Sequence, residues 1–285
     1  MELHLTAQRE GKLSSLLRHD LKLSATLVNR LKWKEAFLVN GIPQRTNFPV
    51  KSGDVITVRL DEEAPEYPAQ DGELSIVYED EWLLAVDKPS GMLIHPSRAK
   101  NEGTLANFVA GYYQKAGQCA AFHPLTRLDR DTFGVVLVAK NAHIHALLQE
   151  AHPQKTYEAL VYGTPPQPEG EVTAPIARCE MPSLLRRIDP EGKPCRTLYR
   201  VLESGEHFSR LELHPVTGRT HQLRLHCSYL GCPILGDPQY GSPESMAFSQ
   251  TLGLSSQLLC AKKITFPHPI TGENITVTSK LDVRL

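Results

Sequence analysis

The sequence has no apolar run near the ~20 residues a bilayer-spanning helix needs. Its longest, Leu83 to Val86 and Val135 to Ala139, stop far short, which excludes a helical membrane protein. The opening residues MELHLTAQREGK hold no apolar core of the kind that directs export, so a cytoplasmic location is expected. The six cysteines, at 119, 179, 195, 227, 232 and 260, form no CxxC pair. Scattered thiols in a long chain argue against a disulfide framework and a zinc ribbon, and they are expected to be reduced. Also missing are GxSxG, a Walker A loop and GxGxxG. Serine-hydrolase, nucleoside-triphosphatase and dinucleotide chemistries therefore lack their nucleophile or phosphate-binding devices.

What is present is an ordinary globular composition, 285 residues with 41% hydrophobic and 22% charged, long enough for about two domains. The net charge of -1 hides a segregation. Residues 1–60 carry ten Lys/Arg against five Asp/Glu, residues 61–73 carry six acids and no base, and the remainder balances at 21 of each sign. The acidic stretch DEEAPEYPAQDGE has two prolines, a glycine and no apolar periodicity, so it reads as a linker. Residues 1–60 are thus expected to form a small basic domain and 74–285 a larger one.

In the small domain Leu3 and Leu5 alternate as in a strand. Lys12 to Arg18 and Ser24 to Lys34 have helical spacing, the second opening on a serine cap. Asn40-Gly41 between apolar residues marks a hairpin, and VITVRL closes as a strand. Arg30 and Lys34 lie one helical turn apart beside the apolar Leu27 and Leu31. Arg18, Arg30, Lys32 and Lys34 are candidates to pair with phosphates, or equally a solvated helix face.

From Leu74 onward strand-like runs dominate: LSIVY, WLLAVD, GVVLVAK, KTYEALVYG, CRTLYRVLE, HFSRLELH, LLCAKKITF and ITVTSKL, interrupted by helical patterns near 104–113, 141–151 and 219–230. The expected class is α+β, with a mostly antiparallel mixed sheet preceded by the small α/β domain.

Four segments carry candidate chemistry. DKPSGMLIHP (87–96) is a Pro-Gly turn that shows only a sharp bend. HPLTRLDRDTFGVVLVAK (123–140) sets Arg127, Asp129, Arg130 and Asp131 in a loop feeding an apolar strand, a common place for catalytic groups. In KTYEALVYG, Tyr157 shares a strand face with Ala159 and Val161, as a core aromatic or as a platform for a base. In HPVTGRTHQLRLHCSYLGCPILGD a helix ends at Gly231. Arg224 shares a face with His221 and Ser228, opposite Leu223, Cys227 and Leu230. His221 and His226, about 500° apart around a helix, do not make a metal pair. Taken alone, an Asp129–arginine pair could be purely structural.

In order along the chain, DKPSGMLIHP, TRLDRDTFGVVLVAK, KTYEALVYG and TGRTHQLRLHCSYLGCPILGDPQYG resemble the RluA/RluD family of RNA pseudouridine synthases over essentially all of 74–285. The run LKLSATLVNRLKWKEAFLVNGIPQRTNFPVKSGDVITV resembles the RNA-binding module of the fourth small-subunit ribosomal protein, over nearly all of 12–58. The family resemblance implies an isomerase that converts uridine to pseudouridine, with Asp129 as the essential aspartate and Arg224 as its arginine partner. It implies that Tyr157 lines the uracil pocket and that Arg127 fills the space of a flipped-out base. A stacked uridine must leave its helix to react, at a cost of a few kcal/mol that pocket contacts offset. The uracil rejoins the ribose through C5, so no cofactor and no metal are expected.

Thr126 and Phe133 depart from the family's usual residues, and Phe133 is expected to alter the pocket's shape. The expected partner is RNA, ribosomal RNA ahead of transfer RNA, with no membrane and no obligatory protein partner. The competing classes are a non-enzymatic RNA-binding or ribosome-assembly factor, a synthase acting on transfer RNA, and a glycoside hydrolase using Asp131 or Asp237 as a second carboxylate.

Overall fold

The computed structural model of the chain describes residues 1–61, 66–97, 101–180, 183 and 185–285. Part of the expected linker, 62–65, lies outside the described residues.

Residues 1–60 build β1 (Glu2–Thr6), β2 (Gly11–Lys12), α1 (Leu13–His19), α2 (Ala25–Leu31), β3 (Phe37–Val39), β4 (Ile42–Pro43), β5 (Pro49–Val50) and β6 (Val55–Arg59). Four of the strands form a sheet in the order β1-β6-β3-β4, and β2 pairs β5. The Ser24 hydroxyl accepts from the Leu27 N–H at 3.1 Å, capping α2. Asn40 and Gly41 both have positive φ, 50° and 79°, the backbone a two-residue hairpin requires. α2 is shorter than its sequence pattern suggests. It ends at Leu31, so Lys34 lies beyond the helix and meets Arg30 on Asp61 instead, at 2.7 and 3.0 Å.

The rest of the chain runs β7 (Ser75–Glu79), β8 (Leu83–Lys88), α3 (Leu105–Lys115), β9 (His123–Pro124), β10 (Phe133–Ala139), α4 (Ala142–Glu150), β11 (Gln154–Tyr162), β12 (Glu169–Val172), β13 (Ile176–Arg178), β14 (Arg186–Ile188), β15 (Thr197–Ser204), β16 (Phe208–Pro215), α5 (Gln222–Tyr229), α6 (Pro243–Thr251), β17 (Leu259–Pro267) and β18 (Asn274–Thr278). Its main sheet has the order β12-β15-β16-β11-β17-β10-β8-β7, with β18 on β17 and β9 on β10. Every pairing in it is antiparallel except β10 with β17. The α+β class holds. α6 and the β13–β14 hairpin were not visible in the sequence pattern. α6 is set by its ends, a Ser242 cap followed by Pro243, rather than by an apolar stripe.

The continuous apolar runs of β8 and β10 follow from burial on both faces. Leu84, Val86, Val136 and Val138 pack with Leu105, Val109 and Tyr113 of α3. Leu83, Ala85, Val135, Leu137 and Ala139 pack with Ile144 and Leu148 of α4, in a cluster that continues into Leu16, Leu17 and Leu31 of the N-terminal segment. Each of the buried valines, leucines and isoleucines contributes roughly 1.5–3 kcal/mol by leaving water.

Where β10 meets β17, Gly134 pairs with Ala261 and has φ +107°; a Cβ there would lie 2.4 Å from the Ala261 carbonyl oxygen. Only glycine fits that approach. The loop before β10 can therefore drop straight against the strand that neighbours β11. Among the described residues no helix is long and apolar enough to cross a membrane.

Candidate active site

The loop between β9 and β10 is anchored by Leu128, whose side chain is buried with Leu84 and Val136. Its neighbours Arg127 and Asp129 are thereby turned outward, Arg127 exposed and Asp129 half-buried. The Thr132 N–H donates to the Asp129 carbonyl at 3.2 Å, closing a turn. Thr126 is buried, and its hydroxyl finds no partner among the described residues.

Lys88, at the end of β8, secures the loop from beneath. Its side chain is fully buried, and Nζ donates to the carbonyls of Pro89 (3.0 Å), Met92 (2.9 Å) and Arg130 (2.8 Å). An ammonium has three hydrogens, and all three are used. Burial lowers its pKa to about 8 against the opposing pull of Asp131 and Asp129. The segment 87–96, which by sequence showed only a bend, therefore ties the Pro-Gly turn to the Asp129 loop.

α5 supplies the cation. Leu223 and Cys227 pack with Ala159, Val161, Leu211 and Leu213, and this apolar face turns Arg224 inward. Arg224 is 5% exposed. Nε and Nη2 donate to the two oxygens of Asp237, each at 2.7 Å, Nη2 also donates to Gln239 at 2.8 Å, and Nη1 donates to Oδ2 of Asp129 at 3.1 Å. Burial alone would weaken the guanidinium's hold on its proton; Asp237 and then Asp129 more than offset this, and its pKa is raised. Asp237 also accepts from the N–H groups of Gln239 and Tyr240, at 2.9 and 3.2 Å. The aromatic ring of Tyr240 lies against the guanidinium, 5.1 Å from its centre.

The sequence pattern placed His221 on the same helical face as Arg224. The structure puts it just before the helix, at the N-cap in the left-handed conformation. Nε2 lies 3.8 Å from Asp129 Oδ2, and Nδ1 lies 2.8 Å from the Tyr240 hydroxyl. His226 is engaged elsewhere, with Thr197 Oγ1 and the Ala174 carbonyl each at 2.9 Å. Among the described residues no cluster of three or more His, Cys, Asp or Glu could hold a metal ion.

Tyr157 packs with Ala159 and Val161 on the side facing α5. Burial, followed by the charge of Asp129, raises its pKa, so the phenol keeps its proton near neutrality and can offer it only as a hydrogen bond. Phe133 points elsewhere. It packs with Leu160, Leu235 and Cys260, on the opposite face of β11 from Tyr157, so its bulk is absorbed there rather than beside Tyr157. The period-two alternation of the strand sets this placement. Arg127 stands near His95, whose pKa is lowered by burial and by that arginine.

Asp129, Arg224 and Tyr157 are thus brought together, with Arg127 at the rim. Arg18, Arg30, Lys32 and Lys34 are exposed on α1 and around the end of α2, apart from this group. The glycoside-hydrolase reading fails on its second acid. Both oxygens of Asp237 are taken by Arg224, through which it is joined to Asp129, and Asp131 is held by Arg130 at 3.0 and 3.2 Å. Sequence reasoning missed Lys88, Asp237, Gln239 and Tyr240 as partners. The signal was in the quoted segments KPSG and GDPQYG, but their targets are distant in the chain.

The ten-stranded mixed sheet and the relatives of this chain place it in the class of pseudouridine synthases. Residues 82–229 match the family model described as RNA pseudouridylate synthase, and the chain belongs to that family. It is 34% identical over 283 residues to the uncharacterized RNA pseudouridine synthase YhcT of Bacillus subtilis (strain 168), covering 96% of this chain and 91% of that one. It is 32% identical over 290 residues to the ribosomal large subunit pseudouridine synthase C of Vibrio cholerae, covering 96% and 90%. Among solved structures, human RNA pseudouridylate synthase domain containing 1 superimposes with a TM-score of 0.60 at 27% identity, over 74% of this chain and 84% of that one.

Proposed function

We propose that this pseudouridine synthase isomerises specific uridines of large-subunit ribosomal RNA, with Asp129 as the group that acts on the glycosidic bond. The observation that carries the reading is the placement of Arg224. It is locked onto Asp237 and Gln239 by three short hydrogen bonds and presents its remaining nitrogen to Asp129 at 3.1 Å. A carboxylate addressed by one fixed cation on a single oxygen retains its second oxygen for chemistry.

In this reading Arg127, exposed at the rim, takes the place of the uridine that leaves the RNA stack, and Tyr157 forms a wall of the pocket that receives it. The N1–C1′ bond breaks with Asp129 attending C1′. The uracil turns, C5 bonds to C1′, the proton on C5 is released to solvent, and N1, freed from the ribose, takes up a proton in its place. One proton leaves and one arrives, so substrate and product are isomers and no co-reactant is consumed. Residues 1–60, with Arg18, Arg30, Lys32 and Lys34 exposed, serve as the RNA-holding domain of a cytoplasmic enzyme. The names of relatives that act on large-subunit RNA support ribosomal RNA as substrate.

The test is tritium release from RNA labelled at uracil C5, with ribosomal and transfer RNA assayed separately. Release from ribosomal RNA by the wild type and not by Asp129→Asn is the expected result. Release only from transfer RNA would overturn the substrate, equal release by both proteins would overturn the role of Asp129, and no release from either RNA pool would favour a binding factor.

A further inference from the structure

His221 occupies a backbone position that needs a reason. It has φ +59° and ψ 17°, left-handed geometry that a side-chain-bearing residue adopts at a cost of roughly 1–2 kcal/mol, and its carbonyl accepts the first helical hydrogen bond of α5, from Leu225 at 3.0 Å. Glycine or asparagine would serve that turn as well. The geometry sends the imidazole back between Asp129 and Tyr240, its ring edge-on to the tyrosine with centroids 5.7 Å apart.

The Tyr240 hydroxyl is the partner of one ring nitrogen, Nδ1. It already accepts from the Arg186 N–H at 3.0 Å, which leaves its own hydrogen to place, and Nδ1 of His221 is 2.8 Å away. If the phenol donates to Nδ1, that nitrogen is the unprotonated one and the ring hydrogen sits on Nε2. Nε2 points at Asp129 Oδ2, the oxygen that also accepts from Arg224. Both donors therefore address a single oxygen, and among the described residues Oδ1 accepts from none. At 3.8 Å the histidine contact is a directed dipole rather than a hydrogen bond, and a closure of under 1 Å would make it one.

We propose that His221, fixed by Tyr240 in the tautomer with its hydrogen on Nε2, is a positioning residue that orients the Asp129 carboxylate so that Oδ1 is the oxygen facing the ribose. The proposal rests on the reading of Asp129 given above and adds which of its oxygens reacts and what turns it. The charged and titratable groups around the imidazole agree with a neutral ring. Burial and the cations Arg224 and Arg186 oppose its protonation and outweigh Asp129 and Asp237, so its pKa is lowered. Arg224 is thus the counter-charge, and His221 supplies direction without adding a second full charge.

Three variants in the full-length protein separate this from a merely structural role. His221→Gln keeps an N–H donor near the Nε2 position, His221→Leu removes it, and both face the same left-handed backbone; Tyr240→Phe removes only the group that fixes the tautomer. With RNA of the responding class, His221→Leu is expected to lower kcat about 10- to 100-fold with KM within a factor of about two, the scale of a misdirected reacting group. His221→Gln is expected to recover most of that loss, and Tyr240→Phe to lower kcat by a smaller factor. Independently of activity, nitrogen-15 NMR of the histidines is expected to show His221 protonated on Nε2 and bare on Nδ1 at neutral pH, and to show this preference relaxed in Tyr240→Phe. Equal kcat for the Gln and Leu variants, or a hydrogen on Nδ1 in the wild type, would overturn the proposal. A wild-type protein that makes no pseudouridine from any RNA would instead sink the reading of the enzyme's activity, while the NMR result would still decide the tautomer.

Discussion

Arg224 binds Asp237 with two nitrogens at 2.7 Å and reaches Asp129 with the third at 3.1 Å, so two acids 108 positions apart in the chain share one buried cation. The asymmetry is informative. Asp237 is almost wholly buried and saturated with donors, whereas Asp129 is half-exposed and receives one hydrogen bond from the arginine. Asp237 fixes the cation, and Asp129 is left available for chemistry.

Substituting Arg224 should separate those roles. Arg224→Lys keeps the charge but loses the planar fork that spans Asp237, Gln239 and Asp129 at once, and kcat is expected to fall about 100-fold while the fold persists. Asp237→Ala strands the guanidinium in the interior and is expected to cost about 3–5 kcal/mol in unfolding free energy, measured by urea titration. A stable Asp237→Ala protein would show that Arg224 finds its counter-charge elsewhere.

Lys88 gives a pH signature. Its ammonium loses a proton at a pH of about 8 in the folded protein, against about 10.4 unfolded. Between those values the unfolded chain binds more protons, so this group's contribution makes stability rise with pH; its burial penalty is fully present below 8 and is relieved above. Unfolding free energies of wild type and Lys88→Met from pH 7 to 10 are expected to converge or diverge in that direction, the wild type gaining relative to the variant. Over the same range the loss of one of three donors leaves one of the carbonyls of Pro89, Met92 and Arg130 without its hydrogen bond, and the wild-type kcat is expected to decline above pH 8. Parallel stability curves would show that Lys88 does not titrate in this window.

The N-terminal segment should reveal itself through salt. Among the described residues, Arg18 and Lys32 are exposed and meet no acid, unlike Arg30 and Lys34, which share Asp61. The double substitution Arg18→Glu, Lys32→Glu is expected to raise KM for RNA several-fold and to flatten the dependence of log affinity on log salt by roughly 1–2, with kcat unchanged. An unaltered slope would place the phosphate contacts elsewhere.

Much of this architecture was legible in the chain itself. Eight of the ten strands of the main sheet and three helices are set by local periodicity, because β8 and β10 are buried deeply enough to read as apolar runs and α3, α4 and α5 pack through one face each, whereas the short β9 and β12 carry no such run. The Asn40-Gly41 hairpin and the Ser24 cap follow from backbone chemistry that only a few residue types satisfy. Charge segregation and the motif around Asp129 pointed to RNA and to one acid. α6 escaped notice because it has little apolar stripe, and α2 was overestimated because Lys34 answers to Asp61, a residue outside the helix.

What the sequence determined by itself was therefore most of the elements and the residues that neighbour Asp129 in the chain, since both depend on residues near one another. Which oxygen of Asp129 is held, how Asp237 anchors Arg224, why His221 faces Tyr240 and where Phe133 points were decided by tertiary structure alone. Hydrogen-bond geometry acts over about 3 Å and is indifferent to sequence separation. Only the fold brings the carboxyl end of β8, the loop before β10, the start of α5 and the turn after it to one place.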